Sequence, residues 1–473
     1  MKKIFFILII SFYTISAVSQ NWKPLGHGLG AGVRAMYADT VDNYLYATGA
    51  FLDTTADGRV LKGIARWDGT KWDSLGTGIE GADPFALDNT FAFSRYKNKL
   101  YIGGVFSSLG DKQAKGLGTW DGTNWDTLKV QPFKKTTYNY NVVSTAIINN
   151  ELYFGGFFDS INNIPSRSFG KWNDTILTPI GVPAALLGEV MIGTICEYKG
   201  YIYVGGNFGT ALFPHDTIQC IMRYDGANWS SVGGGMKGGT TTVFSMVVYN
   251  NELYVAGNFN RSSGNVGDEI QKWDGTTWSG VGGGIAGGYL TKLLVGKDNK
   301  LYALGGFDHA GGIPANMVAT WDGTNWCSLS GNFDNILETG CFYHDSLAIG
   351  GGFHIIDGDT MNFISRWIGG AYLDTCGHLT TGINEIQINS ESLKIYPNPA
   401  TNQITIDFDL LETKNTFIEI KNVLGQTVKT FSNNAVQKGS NKIEVDISEY
   451  SNGIYFVQLQ NGNQITNQKF IKQ

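Results

Sequence analysis

The chain has 473 residues, 63 of them glycine, with 13% aromatic and 16% charged residues and a formal net charge of −6. Abundant glycine without a three-residue period or rich proline excludes a collagen-like rod, and the aromatic content excludes a disordered chain. Five cysteines are too few for a disulfide scaffold, and the acidic balance excludes a basic nucleic-acid binder.

The first element is Met1-Lys2-Lys3, then an apolar run from Ile4 to Val18, with small residues at Ala17 and Ser19. A basic start, a short apolar stretch and small residues before a cut define a secretory signal, expected over 1–19 with cleavage between Ser19 and Gln20. The run is shorter than the ~20 residues a spanning helix needs, so no integral membrane segment is expected once the signal is removed. The mature chain then passes through the periplasm. An oxidising compartment permits disulfides, but the spacing of Cys196, Cys220, Cys327, Cys341 and Cys376 demands none, so buried free thiols are expected.

A repeat fills the next three-quarters of the chain. An aliphatic–Tyr pair, small glycine-rich residues and a Phe recur from Leu45–Phe51 and Leu100–Phe106 through to Leu347–Phe353. A second motif, Trp-Asp-Gly-x-x-Trp, follows. It is complete at Trp67–Trp72, Trp120–Trp125, Trp273–Trp278 and Trp321–Trp326. Tyr224-Asp225-Gly226 with Trp229 is a variant, Trp172-Asn173-Asp174 is degraded, and Trp367 opens a copy that stops. Successive first aromatics lie 53, 52, 52, 49, 48 and 46 residues apart. A period near 50 marks a propeller or a solenoid. Asp-Gly between aromatic-bearing runs is a hairpin signal that sets the two Trp residues opposite each other. The paired glycines are expected to let an aromatic of the neighbouring sheet lie on the backbone.

Each unit has room for four strands; in the second these are Asn89–Tyr96, Lys99–Phe106, Gly116–Asp121 and Asn124–Leu128. The seventh unit lacks its outer Trp strand, and Asn21-Trp22-Lys23-Pro24-Leu25-Gly26 matches Lys71-Trp72-Asp73-Ser74-Leu75-Gly76. The N-terminal strand is therefore expected to complete the last unit, which removes open sheet edges. The expected fold is all-β: a seven-bladed β-propeller of four-stranded blades over 20–376, a linker over 377–390 and a small Ig-like β-sandwich over 391–473.

Over about residues 21–370 the units resemble the kelch-like repeats of the galactose oxidase central-domain superfamily. That resemblance implies the propeller fold and no particular activity, because propellers host unrelated functions. No residue can be matched to a copper ligand of that oxidase. In the tail, Tyr396-Pro397-Asn398-Pro399-Ala400, Val423-Leu424-Gly425-Gln426 and Gly453-Ile454-Tyr455 stand among alternating apolar runs. These blocks resemble the type A C-terminal sorting domain of Bacteroidetes type IX secretion. The resemblance implies that residues 391–473 engage the type IX machinery and deliver the chain to the outer cell surface or the medium.

Loops between second and third strands share one edge of the units and are the expected recognition surface. They carry His215 and Asp216, Asp308 and His309, and His354, Asp357 and Asp359; His344 joins this group as a candidate for convergence at one rim. Histidine with carboxylate suits a divalent metal or a sugar; the plainer reading is solvated loop residues. Asp53 to Asp57 and Asp357-Gly358-Asp359 look like fragments of Ca²⁺ loops without EF-hand spacing, so Ca²⁺ is the one ion to consider and no other cofactor is expected. The chain has no GxSxG, HExxH or P-loop. The expected function is a non-catalytic binding or adhesion module with a glycan or protein ligand and no nucleic acid. The alternative is a carbohydrate-active enzyme using the central pocket, which needs two carboxylates roughly 5–9.5 Å apart.

Overall fold

The computed structural model describes residues 21–54, 60–80, 90–128, 133–134, 141–186, 188–209, 211–213, 216–238, 241–329, 331–369, 393–410, 416–422, 426–431, 437–461 and 464–473. The expected signal, its cleavage site at Ser19 and Gln20, and the linker lie outside the described residues. Two compact units divide the chain, Met1–His378 and Leu379–Gln473. No helix among the described residues is long and apolar enough to cross a membrane.

The first unit contains, among its described residues, seven four-stranded antiparallel sheets in a propeller-like arrangement. Sheet one runs Val33–Asp39, Tyr44–Thr54, Val60–Trp67 and Trp72–Ser74. Sheet two runs Thr90–Tyr96, Lys99–Gly104, Leu117–Trp120 and Trp125–Thr127, within a residue or two of the expected ends. Sheet three runs Asn141–Ile148, Glu151–Phe157, Phe169–Trp172 and Leu177–Pro179; sheet four runs Val190–Tyr198, Tyr201–Phe208, Ile221–Tyr224 and Trp229–Ser230. Sheets five and six repeat the order over 242–280 and 289–328. Sheet seven is built from both ends of the unit: Leu337–Tyr343, Ser346–Gly351 and Ile364–Trp367 are completed by Trp22–Pro24. Trp22 lies opposite Trp367 just as Trp67 lies opposite Trp72.

First strands of successive sheets pack side by side, and Val33–Asp39 of sheet one also packs against Leu337–Tyr343 of sheet seven. Every first strand carries a register shift near its start, between Val33 and Ala35 in sheet one and between Leu337 and Thr339 in sheet seven. A bulge re-aims the extra residue. In these two strands the extra residues are Arg34 and Glu338, which form an ion pair between sheets one and seven.

The tryptophans and glycines have packing roles. An outer-strand indole N–H donates to a backbone carbonyl of the preceding sheet: Trp72 to Leu25 at 2.8 Å, Trp125 to Leu75 at 2.9 Å, Trp278 to Val232 at 3.0 Å and Trp326 to Val281 at 3.2 Å. Each such bond contributes about 1 kcal/mol. First-strand tyrosines latch the other way, Tyr96 to Asn150 at 2.9 Å, Tyr249 to Asn299 at 3.0 Å and Tyr343 to Asn43 at 3.2 Å. The paired glycines differ from expectation. A Cβ at Gly103 would meet Val142 at 2.8 Å, and one at Gly350 would meet Val33 at 2.7 Å, so aliphatic residues of the next first strand fill that place. The aromatic-on-glycine contact occurs at the glycine after the outer strand, where a Cβ at Gly233 would stand 2.7 Å from Trp273.

The thiol expectation is corrected at one position. Cys327, fully buried in sheet six, is disulfide-bonded, whereas Cys196, Cys220 and Cys341 are free and Cys376 lies outside the described residues.

The second unit has two sheets, one of Lys394–Tyr396, Gln403–Leu410 and Gly439–Asp446 and one of Thr416–Asn422, Thr427–Phe431, Gly453–Asn461 and Gln464–Lys472. Ile404, Ile406, Ile418, Val445, Val457 and Phe470 from both form one buried cluster. Asn398 explains its block: its side chain donates to Lys469 O at 3.1 Å and accepts from Ile471 N–H at 3.0 Å, which pins the segment to the last strand.

Candidate functional site

The rim loops are small hairpins rather than open loops. Asp308 and His309 stand together, with His309 Nδ1 2.7 Å from Asp308 Oδ1, and His309 also pairs through its backbone with Ala286 and Pro314. Asp357-Gly358 is the turn joining Ile355–Ile356 to Asp359–Thr360, with φ of 54° and 89°. This is the Asp-Gly geometry of a tight hairpin. Asp357 Oδ1 accepts from Asn332 N–H at 2.8 Å, and His354 donates its backbone N–H to Asp334 Oδ1 at 2.8 Å. Asp216 lies in a third such hairpin opposite Phe213, and His215 lies outside the described residues.

The expected convergence fails for His344. It sits in the turn between Leu337–Tyr343 and Ser346–Gly351, while His354 follows the second of these strands, so the two occupy opposite ends of sheet seven. His344 bonds Asn43 Oδ1 at 2.7 Å instead. Among the described residues, no group of three or more His, Cys, Asp or Glu side chains could hold a metal.

A cavity of about 540 Å³ opens elsewhere, between sheets three and four. Its aromatic wall is Tyr224 and Trp229, with ring centroids 4.9 Å apart and planes tilted 38°. Its polar end is Lys171 and Tyr153, and Pro179 to Pro183 form the remaining side. Lys171 Nζ pairs with Glu151 Oε2 at 2.9 Å, and the Tyr153 hydroxyl donates to the same oxygen at 3.4 Å. Burial, reinforced by the Glu151 charge, pushes the Tyr153 hydroxyl up to about 12, so it stays protonated.

The repeat explains why space opens here. Six sheets place Trp at the end of the third strand; sheet four has the smaller Tyr224. At the seam between sheets two and three, the Trp172 indole donates to the Tyr101 hydroxyl at 3.0 Å. Tyr153 is the equivalent tyrosine of sheet three, and Tyr224 offers it no indole. The cover is altered as well. Gly181 corresponds to Gly233, yet a Cβ on Gly181 would meet Arg167 N at 3.2 Å rather than a ring of the next sheet. Trp229 reaches Gly181 O at 3.0 Å, one residue further along than the carbonyl used at the other seams. Tyr224 and Trp229 are both part-exposed; Trp67, Trp72, Trp120 and Trp125 are buried, and at the seam between sheets four and five Trp273 is buried while Trp278 is part-exposed. Sequence reasoning missed this site, and its only signal was departure from the motif at 172–183 and 224.

No curated protein matches the chain. Among solved structures, the chain is similar to PorZ, a bacterial surface component of the type IX secretion system of Porphyromonas gingivalis, at 11% identity and TM-score 0.45. That match covers 95% of this chain but only 60% of the PorZ chain. It is also similar to two variants of exo-β-1,3-galactanase from Phanerochaete chrysosporium, each at 13% identity, with TM-scores of 0.31 and 0.32. These cover 84% and 90% of this chain and 99% of each enzyme chain. Residues 394–473 match the secretion system C-terminal sorting domain, and with that tail the chain is a secreted, surface-destined protein.

Proposed function

We propose that the chain is an exported non-catalytic binding module: a closed, seven-bladed, kelch-like β-propeller over 20–376, a linker over 377–390 and an Ig-like sorting sandwich over 391–473. Closure is supported by the sheet-one to sheet-seven contacts, in which the Tyr343 latch and the Arg34–Glu338 pair join the two ends of the repeat array. The binding role rests on one observation, the aromatic-walled cavity between sheets three and four. Ligand pockets combine aromatic surface with a few convergent polar groups, and this cavity has both. The rim residues carry less of the reading, because Asp308 and His309 pair with each other and Asp357 holds a backbone N–H. The test is surface capture by the mature chain of arrayed glycans and of extracellular proteins, with assay of released product. Reversible capture without product is expected. Product release would overturn the non-catalytic part and favour a carbohydrate-active enzyme; absence of capture on every surface would overturn the binding role.

A further inference from the structure

Resting on the binding role just proposed, we infer that the cavity between sheets three and four takes a neutral saccharide, with a pyranose ring stacked on Tyr224 and Trp229 and its hydroxyls facing Lys171 and Tyr153. Three observations carry this. The wall consists of two part-exposed aromatic rings, with Trp229 in T-shaped contact with Phe169 of the preceding sheet and no glycine of that sheet lying on either ring. Aromatic faces are electron-rich and attract the C–H face of a pyranose, while their edges do not. The opposite end holds both hydrogen-bond senses in a small space, since the Lys171 ammonium donates and the Tyr153 oxygen, its proton turned to Glu151, accepts. Vicinal hydroxyls, each donor and acceptor, fit such a set. The Lys171–Glu151 pair is internally neutral, so an anionic or cationic ligand gains no net charge attraction there. The volume of about 540 Å³ lies within the range of small-ligand sites.

The repeat supplies its own control. Sheet five carries the same polar trio, with Lys272 paired to Glu252 at 2.7 Å and Tyr254 beside them. There the next sheet presents Trp321 and Trp326, both buried, and Gly282 lies against those rings. The polar end is thus part of the repeat, and the Tyr224–Trp229 wall, with no glycine lying on its rings, separates this seam from that between sheets five and six.

The test is calorimetric titration of the mature chain with neutral hexasaccharides of glucose, mannose and N-acetylglucosamine, alongside hexagalacturonate and a proline-rich peptide. Tyr224→Trp restores the repeat's own residue and fills the space, Trp229→Ala removes the wall, and His309→Ala is the rim control. Binding of at least one neutral saccharide is expected, weakened about tenfold or more by Tyr224→Trp and by Trp229→Ala and unchanged by His309→Ala. Thermal melting checks that each variant is folded, and two different variants keep the test alive if one is not. Saccharide binding that both folded variants retain would overturn the site while leaving the binding role standing. Binding of the peptide or hexagalacturonate alone would overturn the ligand class and also leave that role standing. Failure of every probe, here and in surface capture, would overturn both.

Discussion

The seams between sheets one and two and between sheets three and four start from the same repeat and end differently. In the first, Trp120 and Trp125 are buried, the Trp125 indole is bonded to Leu75 O, and Gly76 lies against their rings. In the second, Tyr224 replaces a tryptophan, the indole bond slides to Gly181, and both rings are part-exposed, Trp229 against Phe169. A repeat that closes its seams with one bulky pair can open a cavity by shrinking one ring and moving one bond.

Five measurements would break or sharpen this contrast. The largest effect is expected for Trp22→Ala, which empties a fully buried place in the regular array; it should cost about 3–5 kcal/mol in denaturant unfolding. Next is a pH effect in sheet five, at the buried Glu269 just before its third strand. Burial, partly offset by the Phe259 N–H, pushes Glu269 up to about 8 from its ordinary 4.5. The folded state then favours the neutral acid. Stability is fully present below about pH 4.5 and is lost as pH rises through 8. Melting should therefore be higher at pH 5 than at pH 9, and Glu269→Gln should flatten that slope.

Cys327→Ser comes third, at about 2–4 kcal/mol, with a similar loss on reduction of the unmodified chain. A negligible change would mean that the indole lattice alone holds that side. Trp229→Ala, at the altered seam, should cost only roughly 1–2 kcal/mol, one hydrogen bond and part of a ring's burial. A cost equal to that of Trp22→Ala would erase the contrast. The smallest effect is a gain: Tyr224→Trp should stabilise by about 0.5–1 kcal/mol through cavity filling, read as a raised melting temperature.

The sheets are legible in the sequence because Trp-Asp-Gly-x-x-Trp carries both a turn and a cross-strand pair. Trp67 and Trp72 face each other for the same reason that Asp68 caps its turn, its carboxylate accepting from Thr70 and Lys71 N–H. The match of Trp22 to Trp72 makes the completion of sheet seven readable too. The cavity is not readable, because it arises from what the repeat omits. Tyr224 says that a contact is lost, but whether neighbours collapse into the gap depends on packing. The rim histidines mislead for another reason. Their residue type suggests ligands, yet strand parity decides which edge each occupies, and one intervening strand separates His344 from His354. The Cys327 bond leaves no spacing signature, since a disulfide is set by where the fold brings two thiols together and not by the motif.

The pairing of Trp22–Pro24 with Ile364–Trp367 sets a timetable for the protein. A chain emerging head first can order sheet after sheet, each against its forerunner, but its leading strand must wait for the last to arrive. Until then an unpaired edge and a large indole stay available to other chains, a standing hazard for an exported protein. Under the proposed closed ring, no terminal sheet is left to peel away once the clasp shuts, unlike open repeat arrays, whose ends fray independently. Damage anywhere along the array should therefore be felt first at the clasp, far from where it occurred.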